Sequence, residues 1–311
     1  MKNFRFFLSA LMLGLVATSF FSCKDDGDDT PDPQNITEVV VDGDDFSDLE
    51  IALTRANLTS VLEGTGPFTV FAPTNAAFDK AGIDVNTIDV NTLTTVLLYH
   101  VLGGASIKST DLQAGQTYAS TASENGPNGE QLSIMIEKTG SAVKVNNTAN
   151  VTAADVSATN GVIHVIDNVI LPLDVVGHAA ANSNFTSLVS TLGAASGDLV
   201  TVLSGDGPFT VFAPVNSAFD AIADVAATLT PDQLAKVLTY HVVSGNVVSG
   251  DLSNGMSVTT VNGDTFTVNI SGSTVTITDI GGNTANVVLT DVQATNGVIH
   301  VIDKVILPSN L

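Results

Sequence analysis

The chain of 311 residues carries 32 Asp and Glu against 10 Lys and Arg, a net charge of −22. A surface of that sign repels phosphate backbones and anionic lipid, which excludes nucleic-acid binding and restricts any membrane link to a covalent or apolar one. Trp is absent and Tyr occurs 3 times, so the core must be built from Val, Ile, Leu, Ala and Phe.

The first 22 residues have the form of a secretory signal. Lys2 and Arg5 make a short basic head, and the uncharged apolar run 6–21 is too short for a comfortable membrane span. Cys23, the only cysteine, closes this segment behind the small residue Ser22. A lone cysteine at that point reads as a lipid-attachment site, and the segment resembles a bacterial lipoprotein signal, although Phe20 and Phe21 depart from its commonest pattern. Residues 23–34, rich in Asp and Pro, contain too little apolar material to join a core and read as an acidic tether. Lys24-Asp25-Asp26 resembles the signal that sends some lipoproteins to the outer cell surface.

Beyond the tether the chain repeats itself. GPFTVFAPTNAAFDK at 66–80 returns at 207–221, changed only at Thr74/Val215, Ala76/Ser217 and Lys80/Ala221. ATNGVIHVIDNVILP at 158–172 returns at 294–308, changed only at Asn168/Lys304. An offset of about 140 residues is the size of a whole domain and not of a solenoid repeat. The expected organisation is two tandem domains, 35–173 and 174–311.

Each copy opens with a helical pattern: Phe46, Leu49, Leu53, Leu58, Val61 and Leu62 in the first, Phe185, Leu188, Val189, Leu192, Leu199, Val202 and Leu203 in the second. Gly66-Pro67 and Gly207-Pro208 break the chain before the short strand PFTVFAP. A helical turn follows, for which Asn75 and Asn216 are the expected N-caps because Thr74 is Val in the second copy. The next helix is the clearest. Thr230-Pro231-Asp232-Gln233 spells a capping box with Pro at the first helical position, and Asp89 takes the cap in the first copy. Leu93, Val96, Leu97 and His100, like Leu234, Val237, Leu238 and His241, fall on one face, so each histidine belongs to the apolar side. Short strands are then expected at 116–120, 131–137, 142–146 and 162–171, and at 256–261, 264–270, 273–278 and 286–290. Asn160-Gly161 and Asn296-Gly297 supply hairpin turns before the last, apolar strand. Helices early and strands late indicate α+β.

TVFAPTNAAF, the Tyr99-His100 pair and NGVIHVIDNVILP, in that order and each present twice, resemble the fasciclin (FAS1) domain family. The resemblance covers residues 35–172 and 174–309. It implies a twisted β-wedge of about seven strands with a helical layer in each domain, and a role in extracellular adhesion, binding proteins or glycans without catalysis. In some animal members the Tyr-His region is implicated in receptor binding, which makes Tyr99, His100, Tyr240 and His241 candidate binding residues, although the helix pattern turns the histidines inward.

The histidines leave an alternative open. His100 with His164 and Asp167 could hold a metal, as could the equivalent set in the second copy, but the residues lack the short-range spacing of a zinc motif. A buried imidazole bonded to backbone is the competing reading, and His178 stands apart at the junction of the copies. The sequence has no G-x-S-x-G elbow, H-E-x-x-H pair or P-loop. Asp42-Gly43-Asp44-Asp45 and the tether lack the spacing of an EF-hand loop. The expectation is a lipid-anchored envelope protein, exported to the bacterial outer membrane and surface-exposed, that uses no metal or cofactor and recognises an extracellular protein or glycan. The alternative is an envelope enzyme or metal-dependent accessory protein using the paired histidines.

Overall fold

The computed structural model describes residues 33–309 and 311. The signal segment, Cys23 and nearly all of the tether lie outside the described residues.

The first copy begins with α1 (Ile36–Val41), where Asn35 and Glu38 form a reciprocal capping box. A 3₁₀ turn leads into α2 (Ser47–Arg55) and α3 (Thr59–Leu62). The helical pattern read as one stretch from Phe46 is therefore broken. Asn57 between the two helices has φ of 55°, a conformation in which no helix continues. The strand β1 (Phe68–Pro73) follows, then α4 (Asn75–Ala81), α5 (Val90–Tyr99), β2 (Val101–Gly103), β3 (Gly115–Ser120), β4 (Ser133–Thr139), β5 (Ala142–Val145), β6 (Ala149–Ala158) and β7 (Gly161–Ile166).

The second copy repeats the series: α6 (Val175–Ala181), α7 (Thr186–Ala194), α8 (Leu199–Leu203), β8 (Phe209–Pro214), α9 (Asn216–Asp220), an additional short α10 (Ala223–Ala226) and α11 (Pro231–Tyr240). Its strands are β9 (Val242–Ser244), β10 (Met256–Thr259), β11 (Thr265–Ser271), β12 (Thr274–Thr278), β13 (Thr284–Ala294) and β14 (Gly297–Ile302).

Each copy forms a seven-stranded sheet, in the orders β2-β1-β7-β6-β5-β4-β3 and β10-β11-β12-β13-β14-β8-β9. Among the described residues, only β1–β7 and β8–β14 are parallel pairs. Alternation along the central strands serves two cores. Val70 and Ala72 face the helices with Leu49, Leu97 and Ile163. Phe71 points the other way, onto Tyr99, Ile134, Ile136, Val145 and Ile166. The sheet thus folds over onto its own far strands and makes the expected α+β wedge, with helices covering the outer face.

Three sequence expectations need correction. The last strand ends at Ile166, not near residue 171, because Asp167 turns its carboxylate back onto Asn150 N and Nδ2 at 2.7 and 2.8 Å. Val169 and Ile170 are buried as coil. The strand β6 was absent from the expected set, and β13 runs well beyond 286–290. Both carry two register shifts, and Asp155 and Asp291 within them have φ of 62° and 61°. These bulges destroy the period-two pattern that sequence reading relies on.

The N-cap of α4 is Thr74, whose hydroxyl accepts from Ala77 N; Val215 holds that position in the second copy without a side-chain bond. Asn75 instead accepts from Asp48 N at 2.9 Å, and Asn216 from Ser187 N at 2.9 Å. These asparagines recur because they cap the first turn of a different helix, α2 or α7.

Candidate recognition site

The Tyr-His pairs end α5 and α11. Tyr99 and Tyr240 are fully buried, and His100 and His241 are 2% exposed. His100 Nδ1 donates to Val96 O at 2.7 Å, one helical turn back, and Nε2 accepts from Ile170 N at 3.1 Å. His241 repeats this with Val237 O at 2.8 Å and Ile306 N at 3.1 Å. An imidazole that donates from one nitrogen and accepts at the other is neutral. Burial agrees, lowering both pKa values from 6.5 to about 4 against the opposing carbonyls. Each ring clips the coil that follows the last strand to the C-terminus of the helix. Tyr99 OH donates to Ser133 O at 2.8 Å and Tyr240 OH to Thr265 O at 2.9 Å, tying the same helices to the folded-over strands. The four candidate binding residues thus lie inside the wedge, and a ligand could reach them only by opening the core.

His164 and His300 are engaged similarly. His164 Nε2 donates to Ile107 O at 2.9 Å and Nδ1 accepts from Asp155 N at 3.3 Å; His300 does the same with Val247 O and Asp291 N. Asp155 binds Ser109 through its backbone N and hydroxyl, and Asp291 binds Ser249 likewise. The Ser109 hydroxyl and amide hold the Asp155 carboxyl below its usual range. The serine, aspartate and histidine of each copy therefore form a staple across the β6 or β13 bulge, with the serine oxygen on a carboxylate and not on the imidazole. Asp167 is turned to Asn150, away from His100. The lone pairs of the duplicated histidines are spent on backbone amides, and the described residues contain no cluster of three or more His, Cys, Asp or Glu fit to hold a metal ion.

Asn160 and Asn296 are the other duplicated hubs. Asn160 Nδ2 donates to Leu62 O and Gly64 O at 2.7 and 2.8 Å, and its Oδ1 accepts from Ile36 N at 3.0 Å. Asn296 makes the matching bonds to Leu203 O, Gly205 O and Val175 N. The turn dipeptide is in fact Thr159-Asn160, since Ala158 pairs with Gly161. Gly161 opens the strand, where a Cβ would stand 2.2 Å from Phe68 O.

Several residues that differ between the copies gather where the two domains meet. Tyr118 on β3 packs against His178 of α6 with ring centroids 5.8 Å apart and ring planes tilted by 55°. Its hydroxyl accepts from Asn182 Nδ2 at 3.0 Å. Gln116 bonds Ser183 and Asn184 at 3.1 Å. Gln293 N on β13 donates to Ser133 Oγ on β4 at 2.9 Å in a buried contact. Beside this junction open two clefts of about 800 and 440 Å³. The larger runs between Pro127 and the Asp206–Pro208 turn, and the smaller between Glu124, Glu130 and Asp291. Sequence reading missed this region, yet a signal existed: Tyr118, His178, Asn182 and Gln293 correspond to Ser257, Val39, Gly43 and Ser157 of the other copy.

Compared with known protein families, residues 44–172 and 183–308 each match the Fasciclin domain. The chain belongs to this family. Its two fasciclin domains resemble a FAS1 domain pair from the insect cell adhesion molecule Fasciclin I, with a TM-score of 0.50 at 22% identity over 84% of this chain and 95% of that one. At that identity the likeness is one of fold. Among curated proteins, Protein sll1483 of Synechocystis sp. is 44% identical over 44% of this chain and 74% of its own length. Transforming growth factor-beta-induced protein ig-h3 of Sus scrofa is 32% identical over 80% of this chain, and human periostin 28% over 82%. The chain spans 36% and 30% of those two longer proteins.

Proposed function

We propose that this is a non-catalytic adhesion or recognition protein, exported, anchored through lipid on Cys23 in the outer membrane, and displayed on the cell surface. The observation that carries the reading is the pairing of two fasciclin domains, an arrangement it shares with a cell adhesion molecule across most of both chains. The buried state of the duplicated histidines supports it, because each ring nitrogen of His100, His164, His241 and His300 already has a backbone partner. Recognition falls instead to exposed surface, where the junction clefts offer the places at which one protein or glycan ligand could touch both domains at once. Two linked modules also permit bivalent contact, which raises avidity above single-site affinity.

The test is a glycan and extracellular-protein binding screen with the soluble fragment 35–311, paired with a whole-cell attachment assay. Saturable binding that survives chelator supports recognition. Chelator-sensitive turnover, or stoichiometric metal lost on changing His164 and His300, supports the metal-dependent alternative. For the anchor, Cys23→Ser should move the protein into the aqueous phase of a detergent extraction and abolish acyl labelling. Unchanged labelling removes the lipid from the reading.

A further inference from the structure

His178 is 1% exposed, and neither ring nitrogen has a hydrogen-bond partner among the described residues. The Gln293 backbone influences the ring without meeting hydrogen-bond geometry. A polar ring in that condition contributes packing and no polar bond, and its charged form would meet no hydrogen-bond acceptor among the described residues. Its place in the fold gives this consequence. The ring leaves α6 of the second domain and lies against Tyr118 of the first, between the Asn182–Tyr118 and Gln293–Ser133 bonds that cross the junction. In the first domain the aligned position is Val39, so the fold itself does not call for histidine there.

We propose that His178 is an acid-released latch between the two fasciclin domains: the junction is closed around the neutral ring and opens when the ring takes a proton. The surroundings offer the imidazolium little compensation. Asp174, the N-cap of the same helix, is the charged neighbour, and its carboxylate is already engaged by Gly177 N. Tyr118 is the titratable group facing it from β3, and burial raises that phenol, so it stays neutral across the acid range. The 3₁₀ turn Ser183–Phe185, α7 and α8 carry no titratable side chain. β14 carries His300 on its opposite face, stacked on Phe212. Opening the junction returns the ring to water, where protonation is ordinary. Each domain keeps its own cores in the open state, because the links being broken are side-chain contacts between wedges and not strands of one sheet. The pair is thus stiff near neutral pH and hinged in acid, which changes the spacing of its two outer surfaces and reshapes the clefts beside the junction.

Proton linkage sets the size of the effect. Burial lowers the closed-state pKa to about 4 from 6.5. The open-to-closed ratio therefore rises about 70-fold between pH 7.5 and 4.5. The test is residue-resolved hydrogen exchange on the full chain, corrected for intrinsic rates, reading the Gln293 amide that bonds across the junction. Wild type should lose Gln293 protection by tens of fold between pH 7.5 and 4.5 while that amide stays less protected than Ile299 in the centre of the second sheet, which marks opening of the junction without unfolding of the domain. His178→Val, which installs the residue of the other copy, and His178→Gln, polar but non-titrating, should both lose most of that acid dependence at Gln293. If the dependence persists in either variant, or if Gln293 and Ile299 are equally protected in wild type at pH 4.5, the latch is refuted.

Discussion

Replacing His100 with Gln tests whether the Tyr-His pair holds the fold together. The wild-type ring joins Val96 O and Ile170 N from opposite nitrogens inside the core. A Gln side chain cannot reproduce both nitrogen positions, so at least one buried backbone group loses its partner, at about 1–3 kcal/mol, with some loss of packing besides. We expect the first domain to lose about 2–4 kcal/mol at pH 7.5, a large share of the stability typical of a domain. The pH profile is the sharper measurement. The folded-state pKa is depressed to about 4 from 6.5. Between those values the unfolded chain binds a proton that the folded domain does not. Wild-type stability from this group is fully present above pH 6.5 and falls as pH drops toward 4, by about 1 kcal/mol per pH unit. The variant has no such share to lose. Its deficit should shrink steadily from pH 7 toward pH 4, by about 3 kcal/mol in all. Urea unfolding at several pH values, followed by circular dichroism, gives the comparison. A deficit that stays constant across that range refutes the assignment of a buried neutral imidazole.

Further outcomes follow from the duplicated hubs and from the places where the copies differ. Asn296→Ala removes the partners of Leu203 O, Gly205 O and Val175 N. It should cost the second domain about 3–5 kcal/mol and leave the first domain's transition in place, as calorimetry would resolve. The helix-side core of the second domain holds a small void of about 30 Å³ beside Val175 and Ala179, where the first domain has Ile36 and Val40. Ala179→Val should therefore raise the second domain's stability by up to about 0.7 kcal/mol, using ~24 cal/mol per Å³ of cavity; a fall in melting temperature would mean that the void cannot take the methyl groups. Fragments 35–173 and 174–311 should each unfold cooperatively when expressed alone, with 174–311 the more sensitive to separation because it exposes His178 and Gln293. A non-cooperative melt of either fragment would show that the domains depend on each other.

Much of this protein is legible in its sequence because duplication supplies its own control. Residues identical in both copies, such as Asn160 and Asn296, His100 and His241, or the PFTVFAP strand, are held by contacts local to one domain, and each copy repeats them. The capping box at Thr230 and the helix face ending in His241 depend on spacing within a few residues, which a single chain displays directly. The bulged strands β6 and β13 were harder to read, because a positive-φ aspartate shifts the register and breaks the alternation. The role of Asn75 was misread for a related reason: its partner, Asp48 N, is 27 residues away and close only after folding. What tertiary structure alone decided is the junction. His178, Tyr118, Asn182 and Gln293 are scattered over more than half of the chain and follow no local period. Only the docking of one wedge on the other brings a buried histidine, without a hydrogen bond of its own among the described residues, against a tyrosine of the neighbouring domain.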